Sequence, residues 1–343
     1  MRVDGPLVSQ ALREVPAAAR AMEAQGYDGA YTFEGPHDPF LPLVLAADAT
    51  ERLELMTSVA IAFARSPMTL ASQAYDLQVL SAGRFHLGLG SQIKPHIERR
   101  FSMPWSAPAA RMRELVLAVR AIWAAWQDRT PLRFEGEHYT HTLMTPFFDP
   151  GPNPHGIPKV WLGGVGPRMT ETAGEVADGF LVHPFCTPQS LLEVTLPALE
   201  RGRLRAGDAL ADRIEVALPV MIATGVDDEQ HEQAVAAVRT QIAFYASTPA
   251  YKVVLDVHGW GELQPRLQEL TRAGDWAGMA ALVHDDLLEA VAIVAPPDEV
   301  APAIEERYGQ LLDRIALNAP YAADPDLWRS IADDLRGGSP ASV

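Results

Sequence analysis

The sequence has little of what holds together a secreted or metal-dependent domain. Cys186 is the only cysteine in 343 residues, which excludes an intrachain disulfide and a metal cage built from thiolates. No uncharged apolar stretch reaches the length of about 18 residues that spans a bilayer, and Met1–Asp4 does not open a signal sequence. We therefore predict a cytoplasmic protein.

Basic residues are scarce as well. The 28 Lys and Arg residues stand against 44 Asp and Glu residues, which gives a formal net charge of −16. Nucleic acids and anionic membranes select clustered Lys and Arg, so we expect neither as a partner. The acidity is typical of solvated helix faces.

Several catalytic signatures are missing. The sequence has neither a Walker phosphate loop nor a Gly-x-Ser-x-Gly nucleophile elbow. The segment Gly88–Ile93 begins like a dinucleotide fingerprint, but Ile93 stands where the third glycine belongs, and no suitable acid follows about 20 residues on. His138 and His141 are three residues apart without a convincing third ligand, so we predict no metal site.

The sequence does contain a regular alternation of short apolar runs and longer amphipathic stretches. Such alternation indicates a parallel sheet with crossover helices. Eight runs qualify as strands, and eight suit a closed (β/α)8 TIM barrel better than an open sheet. The predicted strands are Arg2–Gly5, Gly29–Phe33, Leu53–Ala60, Arg84–Leu89, Lys159–Leu162, Gly179–His183, Glu215–Ala223 and Arg314–Leu317.

The barrel accounts for residues 1–336 as a single domain with two insertions. The first, Arg129–Pro158, follows the fourth barrel unit and contains a predicted hairpin at Arg133–Thr142. The second, Thr248–Ala290, is mostly helical and separates the seventh strand from the eighth. Residues 337–343 are rich in Gly and Ser, and we predict that they form a disordered tail.

Glycine-rich segments follow two neighbouring strands. Gly90 ends the fourth strand, Ser91 and Gln92 follow it, and the next stretch, Lys94–Arg100, is locally basic. Gly163–Arg168 ends the fifth strand and opens a helix. Glycine lets a backbone approach a ligand closely, and a helix N-terminus presents free N–H groups to anions. Because barrel enzymes bind ligands at this end of the strands, both segments favour a phosphate-bearing cofactor.

Glu34 and His37 stand just beyond the second strand. A carboxylate and an imidazole at the catalytic rim of a barrel can serve as general acid and base. Asp38 precedes Pro39 at a predicted helix start, where an aspartate is more typical of an N-cap.

These segments together resemble the luciferase-like monooxygenase superfamily, and specifically its deazaflavin (coenzyme F420)-dependent oxidoreductases. The resemblance covers most of the chain and weakens over the two insertions. Its motifs, in order, are the strand ending at Glu34, Leu55–Ala60, Arg65–Met68, Gly83–Phe85, Leu87–Gly90, Gly163-Gly164, Ala177–Gly179 and Ala295–Val300.

The resemblance implies a site for each part of the cofactor. The Ser58-Val59 peptide bond is implied to be cis, in a bulge behind the deazaflavin ring, whereas the residues alone leave an ordinary trans strand open. The loops after the fourth and fifth strands are implied to hold the phosphate-containing tail, with Lys94 or Arg99 reaching its acidic oligoglutamate. The cofactor-binding residues implied are Ser58, Val59, Ala60, Gly90, Ser91, Gln92, Lys94, Gly163, Gly164 and Val165.

One departure concerns the proton-transferring pair. The deazaflavin enzymes of this superfamily often carry adjacent Asp and His residues after the second strand, whereas here Gly35-Pro36 separates Glu34 from His37. That separation puts the role of His37 in doubt more than that of Glu34. Both remain the predicted catalytic residues.

The resemblance implies hydride transfer between the deazaflavin ring of coenzyme F420 and a small organic substrate. Two alternatives stay open: an FMN-dependent monooxygenase that uses reduced flavin and O2, and a non-catalytic F420-binding protein. The basic segment Lys94–Arg100 favours the more anionic deazaflavin over FMN. The resemblance also implies a homodimer, and the sequence identifies no particular substrate.

Overall fold

Seven of the eight predicted barrel strands are confirmed, with ends shifted by at most two residues. The structure is a computed structural model that describes residues 1–7, 11–207, 210, 213–322 and 324–337. Its strands are β1 (Arg2–Pro6), β2 (Gly29–Thr32), β3 (Glu54–Thr57), β4 (Ala60–Ile61), β5 (Phe85–Gly90), β6 (Phe134–Glu135), β7 (Thr140–His141), β8 (Lys159–Gly163), β9 (Gly179–Leu181), β10 (Glu215–Ala223), β11 (Ala292–Val294) and β12 (Arg314–Asn318).

Eight of these strands close into a parallel barrel. They pair in the order β1-β2-β3-β5-β8-β9-β10-β12, and β12 pairs again with β1. The central strand β5 is buried along its whole length, as a strand covered on both faces must be. The carboxyl ends of all eight strands therefore meet at one rim of the barrel.

Helices surround the barrel, and several begin where proline predicts a start. Pro67, Pro167 and Pro188 each occupy a first helical position, where a missing N–H leaves no bond unmade. The helices are α1 (Val15–Ala24), α2 (Phe40–Ala49), α3 (Pro67–Leu80), α4 (Lys94–Arg99), α5 (Pro108–Asp128), α6 (Pro167–Val176), α7 (Pro188–Ser190), α8 (Leu196–Ala206), α9 (Asp228–Ala246), α10 (Lys252–Asp256), α11 (Leu263–Ala273), α12 (Trp276–Ala281), α13 (Asp285–Val291), α14 (Pro297–Tyr308) and α15 (Pro325–Gly337).

The third predicted strand, Leu53–Ala60, is wrong as a single element. It is divided into β3 and β4 by Ser58 and Val59, whose peptide bond is cis. Strand β3 pairs with the start of β5, and β4 pairs with its end. The apolar pattern runs through the break without a gap, which is why the sequence alone does not locate it.

The first insertion contains the predicted hairpin. Strands β6 and β7 are antiparallel, with Phe134 opposite His141. The loop between them is held by Glu114 of α5, whose carboxylate accepts the backbone N–H groups of Glu137, His138 and Tyr139 at 2.9, 2.6 and 2.5 Å.

The second insertion is helical, as predicted, and consists of α10 to α13. It leads into β11, which the sequence did not predict and which pairs with the end of β10. At the C-terminus, Gly337 belongs to α15 rather than to the predicted tail, and residues 338–343 lie outside the described residues. In the described part of the chain, no helix is long and apolar enough to cross a membrane.

A buried arginine ties the last strand to the first. Arg314 of β12 is 1% exposed, and its Nε and Nη2 donate to the two carboxylate oxygens of Asp4 in β1 at 2.7 and 2.6 Å. Its Nη1 donates to Glu54 of β3. Burial favours the neutral form of Glu54, but the charge and hydrogen bond of Arg314, together with His86 and Arg2, outweigh it and hold the pKa of Glu54 below its ordinary value.

The same network extends across the amino-terminal mouth of the barrel. Arg2 donates to Glu54 at 3.2 Å and also to Glu215, which accepts from Lys159 at 2.5 Å. A side chain at Gly29 is excluded here, because its Cβ would lie 2.5 Å from Asp4 Oδ1. Charged side chains from five barrel strands thus fill this end.

We expect Arg314→Met to lower the free energy of unfolding by about 3–5 kcal/mol, because it leaves Asp4 buried without its partner. Urea unfolding followed by circular dichroism measures this loss. The matched control is Arg213→Met, since Arg213 is 69% exposed in its pair with Asp313 and we expect a change within about 0.5 kcal/mol. Similar losses for both variants would contradict a dominant role of the buried pair.

Candidate active site

The carboxyl-terminal rim brings the end of β2 against the cis bulge. The N–H of Ser58 donates to the carbonyl oxygen of Thr32 at 2.6 Å, and the N–H of Glu34 donates to the carbonyl oxygen of Val59 at 3.1 Å. These two bonds continue the β2–β3 ladder past the end of each strand. The bulge is therefore fixed in place by the segment that carries Glu34.

The side chain of Val59 lies between the two glycine-ended strands. A Cβ on Gly90 would lie 2.6 Å from Val59 Cγ2, and one on Gly163 would lie 3.1 Å from Val59 Cγ1. Gly90 and Gly163 are register partners in the β5–β8 pairing. Three segments that the sequence singled out separately thus meet around one valine, and we call Val59, Gly90 and Gly163 the glycine wall.

The loop after β8 leads from the glycine wall to the N-terminus of α6. Gly164 is packed closely, since a Cβ there would lie 2.4 Å from Met169 Cγ, whereas Gly166 faces open space with a φ of 83°. The backbone N–H groups of Val165 and Gly166 donate to no atom of the described residues. Free donors at the start of a ten-residue helix suit an anionic group, so this loop fits the tail of a phosphate-bearing cofactor.

The loop after β5 is less open to a ligand than the sequence predicts. Gln92 has a φ of 57°, its side chain accepts the N–H of Ile93 at 3.0 Å, and the Ser91 hydroxyl donates to the Gln92 carbonyl at 3.1 Å. Lys94 is exposed and lies 3.7 Å from the carboxylate of Glu98. Both side chains of this pair are largely exposed, so the pair is weak.

Arg100, at the end of the same basic segment, has a structural contact. Its Nη2 donates to the carbonyl oxygen of Gly35 at 2.7 Å, which links the loop after α4 to the segment between Glu34 and His37. Among Lys94, Arg99 and Arg100, only Arg99 has no hydrogen bond or ion pair to the described residues. The role predicted for Lys94 stays a prediction.

Glu34 is paired with an arginine that the sequence did not single out as functional. Oε2 of Glu34 accepts from Arg65 Nη1 at 2.6 Å and from the N–H of Ile61 at 2.7 Å. Arg65 also donates to Asp38, whose other oxygen accepts the N–H of Phe40 at 2.8 Å. Since α2 begins at Phe40, its N-cap is Pro39 rather than the predicted Asp38. Glu34 accepts from both groups, which ties the segment after β2 to β4.

His37 lies apart from that network. It is exposed on the loop after β2 and makes no hydrogen bond to the described residues. The structure therefore brings Glu34 to the bulge but leaves His37 at the solvent side. The catalytic roles predicted for both residues remain predictions.

His183 is a candidate that the sequence reasoning missed. It lies two residues beyond β9, its ring is stacked on Tyr251 with centroids 4.2 Å apart, and Tyr245 meets it edge-on at 4.6 Å. Its Nδ1 accepts the N–H of Phe185 at 3.1 Å. Burial lowers the pKa of His183 to about 4, so the imidazole is neutral at physiological pH. The signal available beforehand was a histidine at the carboxyl end of a predicted barrel strand.

A cleft opens beside the glycine wall and contains His183. It encloses about 460 Å³, part of it open to solvent. Its lining is drawn from the loop after β8 and the first turn of α6, from β9 and the segment after it, from α7 and the turn before α8, and from the second insertion. The lining residues are Gly164, Val165, Gly166, Thr170, Phe180, Val182, His183, Phe185, Cys186, Ser190, Val194, Thr195, Tyr251, Val253 and Val254.

Known proteins resemble this chain over nearly its whole length. The family model described as luciferase-like monooxygenase matches residues 1–314. A protein of Mycobacterium tuberculosis without an assigned activity is 53% identical over 338 residues, 98% of each chain. The 5,10-methylenetetrahydromethanopterin reductase of Methanopyrus kandleri is 28% identical over 299 residues, 83% of this chain and 82% of the reductase.

A solved structure adds a likeness of fold. The coenzyme F420-dependent tetrahydromethanopterin reductase of Methanopyrus kandleri matches with a TM-score of 0.77 and 22% sequence identity, over 98% of both chains. The likeness extends through both insertions, so they belong to the shared architecture.

Acid should weaken the fold through His183. An unfolded histidine titrates near pH 6.5, and the pKa of the buried His183 is about 4. Between those values only the unfolded chain binds the proton, so stability present above about pH 6.5 is lost as the pH falls towards 4. We expect the free energy of unfolding in urea to fall less between pH 7 and 4.5 for His183→Phe than for the unsubstituted protein, by up to about 3 kcal/mol.

The exposed His37 provides the control for that measurement. We expect His37→Gln to reproduce the pH dependence of the unsubstituted protein. If His183→Phe leaves the slope of unfolding free energy against pH unchanged, that result would contradict the burial of a neutral imidazole at this position.

Proposed function

We propose that this chain, which belongs to the luciferase-like monooxygenase family, is a coenzyme F420-dependent oxidoreductase. In this proposal a hydride passes between the deazaflavin ring and a small organic substrate. The observation that carries it is the glycine wall: Gly90 and Gly163 leave room for the Val59 side chain, which a Cβ on either glycine would meet at 2.6 or 3.1 Å. The reductase relative and the F420-dependent reductase structure support the choice of cofactor.

In this proposal, different residues of the chain hold the ring and the tail of such a cofactor. Val59 and the bulge would support the ring, and the free N–H groups of Val165 and Gly166 would hold the anionic tail. When bound, coenzyme F420 supplies a two-electron hydride carrier, and the protein contributes position and electrostatics. Glu34, held by Arg65, fixes the bulge through Ile61, so its effect on the reaction is transmitted by geometry.

The basic segment still favours an anionic cofactor. Lys94 lies 3.7 Å from Glu98 in an exposed pair, and Arg99 and Arg100 have no acidic partner among the described residues, so the segment keeps a net positive charge. The relatives give further support for F420 over FMN. An FMN-dependent monooxygenase is the alternative enzyme of the same family, and a direct titration separates the two.

We expect coenzyme F420 to quench the tryptophan fluorescence of the purified protein with a micromolar dissociation constant. FMN, with a different ring and tail, should bind at least about tenfold more weakly, a difference of about 1.4 kcal/mol. Micromolar binding of FMN without binding of F420 would overturn the proposal in favour of the monooxygenase.

A matched pair of variants tests where the tail binds. Val165→Asp places a carboxylate beside the free N–H groups at the start of α6, and we expect it to weaken F420 binding about tenfold or more by charge repulsion. Val165→Asn has nearly the same shape without the charge, and should bind F420 within about twofold of the unsubstituted protein. Equal effects of both variants would place the anionic tail elsewhere.

Turnover distinguishes an enzyme from a protein that only binds the cofactor. With a substrate that supports turnover, we expect Arg65→Met to lower kcat by about tenfold or more, because Glu34 and the bulge lose their fixed geometry. His37→Ala should reduce kcat only if its imidazole reaches the reacting atoms. Tight F420 binding with no turnover of any neutral or charged substrate would favour the non-catalytic alternative.

A further inference from the structure

The cleft beside the glycine wall is notable for the charge it lacks. Among the described residues that line it, there is no Lys, Arg, Asp or Glu. The nearby ammonium of Lys252 is already paired with Asp256 one helical turn away. Apart from the loop that we assign to the cofactor tail, the lining is apolar or neutral. An anionic substrate group would lose its hydration here without gaining a cation, which is costly.

His183 lines the cleft and has one ring nitrogen without a partner among the described residues. Since Nδ1 accepts the N–H of Phe185, the proton of the neutral ring is assigned to Nε2. Nε2 has no hydrogen-bond partner among the described residues. The atom is not fully buried, so solvent or a ligand reaches it. Stacking on Tyr251 and the edge of Tyr245 fix the ring plane.

The position of His183 relates the cleft to the cofactor. Leu181, two residues before it, is the register partner of Gly163 in the β8–β9 pairing. Gly164 and Val165 line the same cleft as His183. A ligand in the cleft therefore lies next to the surface on which we place the deazaflavin.

We propose that this cleft binds an uncharged substrate with an apolar body and a carbonyl or hydroxyl oxygen, and that His183 positions that oxygen by donating from Nε2. This inference rests on the proposed function, because it names the substrate class of the same site. It excludes phosphorylated or carboxylated groups from the His183 side of the cleft. His183 acts here as a positioning residue for the substrate oxygen, and Tyr251 fixes its orientation.

Binding of a matched pair of ketones tests the inference without requiring turnover. Acetophenone and 4-acetylbenzoate share a ring and a ketone, and differ by one carboxylate. We expect calorimetric titration of the F420-loaded protein to show acetophenone binding at least about tenfold more tightly than 4-acetylbenzoate. Equal or tighter binding of 4-acetylbenzoate, or no binding of acetophenone, cyclohexanone or cyclohex-2-enone, would overturn it.

Three variants test whether the preference for the uncharged ketone depends on residues of the cleft. His183→Phe keeps the stacked ring but removes the donor, so we expect acetophenone binding to weaken about three- to tenfold. His183→Gln restores an N–H donor and should recover part of that loss, which a merely structural role would not produce. Val253→Lys introduces a cation into the lining and should strengthen binding of 4-acetylbenzoate.

A parallel F420 titration separates this inference from the proposed function. If F420 binds all three variants normally but His183→Phe leaves acetophenone binding unchanged, the substrate assignment is wrong and the cofactor assignment stands. If F420 binds no form of the protein while the binding of acetophenone still depends on His183, the oxidoreductase proposal fails. Thermal unfolding of each variant identifies any that has lost its fold.

Discussion

The bidentate pair between Arg314 and Asp4 is the constraint on which the rest of the molecule depends. It joins the last barrel strand to the first, two positions separated by 310 residues, and through Glu54 it also fixes β3. Closure sets the strand register, and register decides which residues share the opposite rim. The pairing of Gly90 with Gly163, and the place of Val59 between them, follow from a barrel closed by a charge pair at its other end.

Most of the barrel could be predicted from the sequence because its strands are short, apolar and separated by amphipathic helices. The errors have physical reasons. The division of Leu53–Ala60 at Ser58 and Val59 was implied only by family resemblance, since the apolar run continues through it. Strand β11 was missed because Ala292–Val294 is too short to distinguish from the end of the preceding helix.

The individual segments of the site could be predicted from the sequence, but their arrangement in space could not. Glycines after two neighbouring strands indicated close backbone approach, but only the three-dimensional register shows that both lie against Val59. The pairing of Arg65 with Glu34 spans a bulge whose path the sequence does not specify. His183 lay inside a predicted strand, and its significance depends on tyrosines from α9 and the second insertion, more than 60 residues away.

The loop of the β6–β7 hairpin is held by a residue that does not belong to the hairpin. A hairpin with two-residue strands is too small to persist in water by itself, and here Glu114 of the preceding helix accepts three of its backbone N–H groups. Gly136 allows this, because a Cβ at that position would lie 2.2 Å from the Glu114 carboxylate. The loop of the hairpin therefore depends on a side chain outside it. Loss of the Glu114 carboxylate would leave three backbone N–H groups without their acceptor.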